Sequence, residues 1–166
     1  LAIIVGMVLG GTNFALHWRA VTGDRLAYWR DPEFRTYVKL LIGASVLVIG
    51  LLWLDAGLGI TEATRAGVFN VVAIATSTGY GSAQGAGSSG DFALWVPAAQ
   101  LVLLFLMVVG SSSGSTAGGL KVMRLQILLA HSIRSVRHSQ QPHAVMPVKH
   151  GKAAVHENIV RRMTGF

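Results

Sequence analysis

Between residues 40 and 109 the chain carries three apolar runs in the order long, short, long. Leu40 to Leu54 is free of charge. With Tyr37 and Val38 before it and Ala56 to Ile60 after it, this run supplies the roughly twenty residues that a membrane-spanning helix needs. Phe92 to Val109 is the second long run, with Pro97 near its start, where a missing donor is tolerated, and Gln100 as its one polar side chain. It reads as the return crossing. Between them Ala66 to Ala75, interrupted only by Asn70, is ten residues long and cannot cross. A run of that length is either a re-entrant helix or an ordinary buried core helix, and the flanking crossings favour the re-entrant reading. Thr61 is its expected N-cap, with Glu62 in the first turn.

The surrounding composition agrees with a bilayer as solvent. Of 166 residues, 52% are hydrophobic and 13% charged, more apolar than an ordinary soluble domain. The net charge of +7 does not imply nucleic acid, because the basic residues lie beside apolar runs rather than interleaved with a soluble core. The absence of cysteine excludes a disulfide framework and thiolate metal sites. Residues 17 to 39 carry five Lys or Arg and residues 121 to 166 carry eight, whereas residues 55 to 91 carry only Arg65. By the positive-inside rule both basic segments are cytoplasmic and the short helix enters from the outer face. Ser82 to Gly90, rich in Ser, Gly and Ala, is then an external loop. Leu1 to Leu16 reads as the second half of a spanning helix, and Asn158 to Phe166 as the start of another helical pattern. The chain is thus expected to be an excerpt that opens inside a helix, with no signal peptide.

The short helix runs into Thr76, Ser77, Thr78, Gly79, Tyr80 and Gly81. A dehydrated potassium ion needs oxygens to replace its water, and backbone carbonyls supply them without fixed charge when the chain is extended and aimed inward. Glycine permits the dihedrals that such aiming requires. Irregular backbone at membrane depth is tolerated only when buried in protein or lining a watery cavity, so an unwound stretch after a half-helix implies a permeation path. The bland alternative is a surface turn. TGYG at 78–81 also resembles the TVGYG filter of potassium channels.

A second motif, GSSSGSTAGG at residues 110–119, follows the return crossing directly. Gly114 and Gly119 have phosphate-loop spacing, but Leu120 intervenes before Lys121 and Val122 replaces the required hydroxyl residue, which excludes that reading. Two alternatives remain for Gly110, Ser111, Ser112, Ser113, Gly114, Ser115, Thr116, Ala117, Gly118 and Gly119: a small-residue packing face between helices, or a flexible loop that obstructs or clears the path below the filter. Lys121 and Arg124 mark the cytoplasmic boundary and snorkel to the interface, with a gating role for Lys121 as the alternative.

STGYG after a pore-like helix, together with GSSSGSTAGGLKVMR after the next crossing, resembles the Trk and Ktr superfamily of potassium transporters, specifically the bacterial Trk-type membrane subunit. The resemblance implies four concatenated repeats of helix, pore helix and helix around a single pore. GGTNFALHW followed by WRDPEFR resembles the junction between the second and third repeats. On this basis residues 1–18 end the preceding repeat and 19–36 form a cytoplasmic connector. Residues 37–60 are the first helix of the pore repeat, 61–81 its pore helix and selectivity filter, and 82–91 the external loop. Residues 92–130 are the second helix interrupted by 110–119, 131–157 a cytoplasmic linker with a hairpin, and 158–166 the start of the next repeat. Thr76 to Tyr80 become the third filter strand, Gly79 the filter glycine, and Gly110 to Gly119 the intramembrane gating loop. The loop Gln84 to Gly90 is longer than the family usually has.

In the tail, Ala144 to Val148 and Lys152 to Val155 flank His150 and Gly151, a two-residue hairpin turn, with Pro147 at a free edge. His131, His138, His143, His150 and His156 form no helical i, i+4 pair and read as solvated, not as a transition-metal site. The expectation is an all-α membrane protein of the bacterial inner membrane, multi-pass, that takes up potassium selectively by permeation. It performs no covalent chemistry and has no catalytic residue or covalent cofactor; K+ is the transported ion. The alternatives are a potassium channel subunit and, of another class, a membrane scaffold without an ion site. Expected partners are membrane lipid, a second copy in a homodimer and, from the resemblance, a cytoplasmic nucleotide-binding regulatory subunit, with no nucleic acid. Eight Lys or Arg against the single Glu157 between residues 121 and 166 suit that subunit and anionic lipid equally.

Overall fold

The computed structural model of the chain describes residues 1–85, 87–140, 149–150 and 153–154. Apart from one hairpin of two-residue strands, its regular structure is helical. The first apolar run is not one helix: α1 (Ala2–Gly10) stops at Gly11, and Asn13 caps α2 (Phe14–Val21) by accepting from Ala15 N at 2.9 Å. The connector expected at 19–36 is largely helical too, with α3 (Ala27–Arg30) followed at once by α4 (Pro32–Leu54).

α4 begins five residues before the expected Tyr37 because Asp31, Pro32 and Glu33 together form a start signal. The Asp31 carboxylate accepts from Phe34 N at 2.7 Å, Pro32 stands where no donor is needed, and Glu33 meets the positive end of the helix. The helix ends at Leu54 rather than Ile60, where Gly57 takes φ +67° and reverses the chain. Its 23 residues rise about 34 Å, enough for the hydrocarbon core. Only 28% of its most apolar window is buried within the chain, with Ile42, Val46, Leu47 and Trp53 exposed. A soluble core helix hides such a window; this one suits lipid or neighbouring membrane helices.

α5 (Ile60–Ala75) starts one residue before the expected cap: Gly59 is the N-cap, Thr61 lies inside the first turn, and Glu62 sits there as anticipated. At about 24 Å it is too short to cross. α6 (Pro97–Val108), preceded by a 3-10 turn at Phe92–Leu94, spans only about 18 Å, so the return crossing expected over 92–109 is not a single spanning helix. The chain leaves helix at Val109 and resumes as α7 (Val122–Gln140), which extends ten residues beyond Ala130 into the stretch expected to be a linker.

Tyr37, Leu41, Val48 and Leu52 on one face of α4 pack against Ala63, Ala66, Val71 and Ala75 of α5, while Ala99, Leu103 and Leu106 of α6 close the core. Small residues on α5 allow close approach: a Cβ on Gly67 would lie 3.1 Å from Ile49 Cγ1. α1 covers the other flank of α5 through Met7 against Val72 and Ala73. In the tail, β1 (Lys149–His150) pairs antiparallel with β2 (Ala153–Ala154), placing His150 opposite Ala153. His150 therefore belongs to a strand rather than to the expected turn, and Gly151 lies outside the described residues. Ala144 to Val148, Val155, His143, His156 and the pattern at 158–166 lie outside the described residues.

Candidate functional site

α5 ends with Thr76 as its C-cap, and the chain then turns out of the helix through Ser77 at φ +55° and Gly79 at φ +75°. Ala73 O accepts from both Thr78 N at 2.9 Å and Gly79 N at 3.2 Å, which caps the last turn. Ser77 is a non-glycine residue in the left-handed region, a conformation that costs about 1–2 kcal/mol. The buried Thr76 hydroxyl donates to Val72 O at 2.8 Å and lies 2.7 Å from Thr78 Oγ1. At Gly79 the requirement for glycine is one of backbone alone, since an added Cβ would meet nothing within 4 Å.

From Ser77 to Gly81 every residue is exposed. None of the hydrogen bonds among the described residues ends on a carbonyl oxygen of Thr76, Ser77, Thr78, Gly79, Tyr80 or Gly81. An unpaired peptide oxygen facing hydrocarbon costs several kcal/mol, so the segment does not face lipid; it faces water or other polar groups. The C-terminal end of α5, with its partial negative charge, lies directly behind it.

Residues 110–119 are non-helical, and they form a closely bonded loop rather than a loose one. Val109 and Leu120 are bridged, Gly110 N donates to Leu120 O at 2.9 Å, and Leu120 N donates to Val108 O at 2.9 Å. A Cβ on Gly110 would overlap the Gly118 carbonyl oxygen, so the two arms of the loop approach backbone to backbone. Gly114 and Gly119 supply the left-handed turns at φ +70° and +74°. The loop docks on the end of α5 through Ser111 Oγ to Ala75 O at 3.0 Å and Gly118 N to Ser77 Oγ at 3.1 Å.

The loop's second dock is the break between α1 and α2. There Ser112 N donates to Gly11 O at 3.1 Å, Thr116 N to Gly10 O at 3.2 Å, and Phe14 N to Gly114 O at 3.2 Å. Ser111, Ser112 and Ala117 are buried, Ser113 and Ser115 half-buried, and Gly114, Thr116, Gly118 and Gly119 exposed. The Lys121 ammonium turns back and donates to Ala117 O, tying the end of the loop instead of reaching outward. Arg124 is exposed.

Three residues outside the motifs hold the site. Glu33, 5% exposed, accepts from Ser113 N at 2.6 Å and from Met123 N at 3.1 Å through one carboxylate oxygen. Gly11 has no room for a Cβ, which would strike Tyr37 Oη and stand 2.8 Å from Ser111 Oγ. Asn70, fully buried on α5, donates to Ser82 Oγ at 2.9 Å and Gly90 O at 3.2 Å, pinning both ends of the outer loop. The signals available for them were a carboxylate in a helix start, a paired glycine, and a lone amide in an apolar run.

A spanning helix with a lipid-suited face, packed on a helix too short to cross, defines a helical membrane protein. The family model of TrkH, described as a cation transport protein, matches residues 1–166, and the chain belongs to that family. It is 35% identical over 161 residues to the Trk system potassium uptake protein TrkH of Halomonas elongata, covering 96% of this chain and 32% of that protein. The Escherichia coli protein of the same name is 31% identical over 170 residues, covering 99% of this chain and 33% of that protein. The crystal structure of the potassium transporter TrkH from Vibrio parahaemolyticus superposes with a TM-score of 0.87 at 28% identity, covering 98% of this chain and 34% of that one. The chain thus spans about a third of the length of the curated relatives it matches.

Proposed function

We propose that this chain is the part of a selective potassium uptake protein that carries one strand of the ion filter and the loop that closes the path beneath it. The observation that carries the reading is the run of carbonyls from Thr76 to Tyr80 that accept no hydrogen bond among the described residues, on a segment exposed from Ser77 onward, at the negative end of a half-length helix. A potassium ion binds where neutral oxygens replace its hydration shell, and a ring of such strands, one from each of four repeats, supplies them. Thr76, Ser77, Thr78, Gly79 and Tyr80 are the filter residues, with K+ as the transported ion and no covalent cofactor or covalent step.

Gly110 to Gly119 act as the gate because the loop abuts both Ala75 and Ser77, where the filter begins. Lys121, bonded to Ala117 O, is adjacent to that gate. The relatives, a potassium uptake protein and a potassium transporter by name, favour this cargo over others. The full protein is multi-pass in the bacterial inner membrane, works as a homodimer in contact with lipid, and docks a cytoplasmic nucleotide-binding regulatory subunit on its basic tail.

The test is Gly79→Ser in the full-length protein, assayed by uptake in potassium-limited cells. A Cβ at φ +75° costs about 1–2 kcal/mol and tilts neighbouring carbonyls, so preference for potassium over sodium falls. Preference that survives at the wild-type level removes the filter assignment.

A further inference from the structure

We propose that Glu33 is the latch of the 110–119 loop: its buried carboxylate holds the loop in the closed position, and loosening it opens the path without altering ion preference. The inference rests on the reading of that loop as the closure beneath the filter.

Glu33 lies in the first turn of α4, and one of its oxygens takes the N–H of Ser113 from the loop and the N–H of Met123 from the first turn of α7. Met123 N is one of the donors that a helix start leaves without an internal partner, so the carboxylate caps α7 and grips the loop at once. Gln126 strengthens the same clamp, with Nε2 donating to Thr36 Oγ1 and, at 3.4 Å, to Pro32 O. The first turns of α4 and α7 and the loop between α6 and α7 therefore meet at a single oxygen.

The ion pairs among the described residues join Asp24 to Arg19 and to Arg30; none involves Glu33. Among the described residues its charge is met by the backbone N–H groups of Ser113 and Met123. An apolar side chain would fill a buried site at lower desolvation cost, so packing does not account for a carboxylate here. Two hydrogen bonds to one charged oxygen do account for it: they are strong, directional and lost together. Glu33 is a positioning residue, since it touches none of the filter carbonyls.

The experiment uses the full-length protein in liposomes, with Glu33→Gln and Glu33→Ala compared against wild type. Glutamine keeps an acceptor oxygen but loses the charge, and alanine loses both bonds. Potassium flux at saturating concentration should rise in the order wild type, Gln, Ala, on the order of tenfold for Ala. Half-saturating potassium and the potassium-to-sodium ratio should not change. A second measurement reads the loop directly in an otherwise cysteine-free protein carrying Ser112→Cys. Ser112 is 1% exposed and its hydroxyl has no hydrogen-bond partner among the described residues, so the replacement breaks no bond there. A water-soluble thiol reagent should modify Cys at 112 slowly in wild type and on the order of tenfold faster with Glu33→Ala. Equal modification rates with all three residues at position 33 overturn the latch, whatever the flux. If the wild-type protein carries no potassium, the functional reading fails by itself, and the modification rates still decide the latch.

Discussion

Gly11→Ala tests whether the loop, the end of α5 and α4 are packed against the α1 break as tightly as described. Gly11 has φ −78° and ψ −6°, a conformation open to any residue, so the cost of a methyl group is entirely steric. The new Cβ would overlap Tyr37 Oη and stand 2.8 Å from Ser111 Oγ and 3.0 Å from Thr76 Cγ2. Those groups belong to α4, the loop and the end of α5, all fully or nearly fully buried, so none can swing into solvent. Overpacking of this kind costs about 1–3 kcal/mol. Displacing Ser111 adds about 1 kcal/mol for its bond to Ala75 O.

The assay is the fraction of detergent-purified full-length protein that stays monodisperse after heating, with Gly6→Ala as control. Gly6 lies within α1 with nothing within 4 Å of its Cβ position, so alanine there gains about 0.5–1 kcal/mol of helix stability. Gly11→Ala should lose its monodisperse fraction several degrees earlier. Adding Tyr37→Phe removes the overlapped hydroxyl and should restore part of the loss, a non-additive result. Gly11→Ala as heat-resistant as Gly6→Ala, or a double variant no better than the single one, would refute the packing argument.

Asn70→Ala cuts the tie from α5 to the outer loop and leaves the Gly90 carbonyl without that donor, a loss of about 1–3 kcal/mol. Hydrogen exchange at residues 82–90 should accelerate while α4 and α5 stay protected; unchanged exchange there contradicts the role assigned to the amide. In the tail, Gly151→Val with Lys152→Val alters the residues between the paired His150 and Ala153. Co-purification of the regulatory subunit should weaken with membrane insertion unaltered, and undiminished co-purification leaves anionic lipid as the partner of the basic tail.

The features legible in the sequence are those whose physics is local. A ten-residue apolar run cannot cross, TGYG carries its own backbone requirement, and GSSSGSTAGG cannot stay helical, and all of these depend on neighbours within a few residues. The bonds that organise the site are not local: Glu33 meets Ser113 at a separation of 80 residues and Met123 at 90. Counting Glu33 with the charges of a polar connector hid both its burial and the helix start at Asp31, Pro32 and Glu33, which is a local signal. The break at Gly10 to Asn13 was also written locally, as a glycine pair followed by a cap. Its purpose emerges only when the loop lands on the freed carbonyls of Gly10 and Gly11. In the tail, the composition around His150 did not separate a turn residue from a strand residue, and the pairing of His150 with Ala153 places it in a strand.

If residues 76–80 form a filter strand, the carbonyls of Thr76 to Tyr80 hold potassium. Its most direct test is a crystal structure of the full-length protein grown in rubidium, whose anomalous scattering marks the ion. Anomalous density should lie within coordination distance of those carbonyls and weaken with Gly79→Ser. Density found elsewhere in the path, with the carbonyls of residues 76–80 turned away from it, would refute the filter assignment.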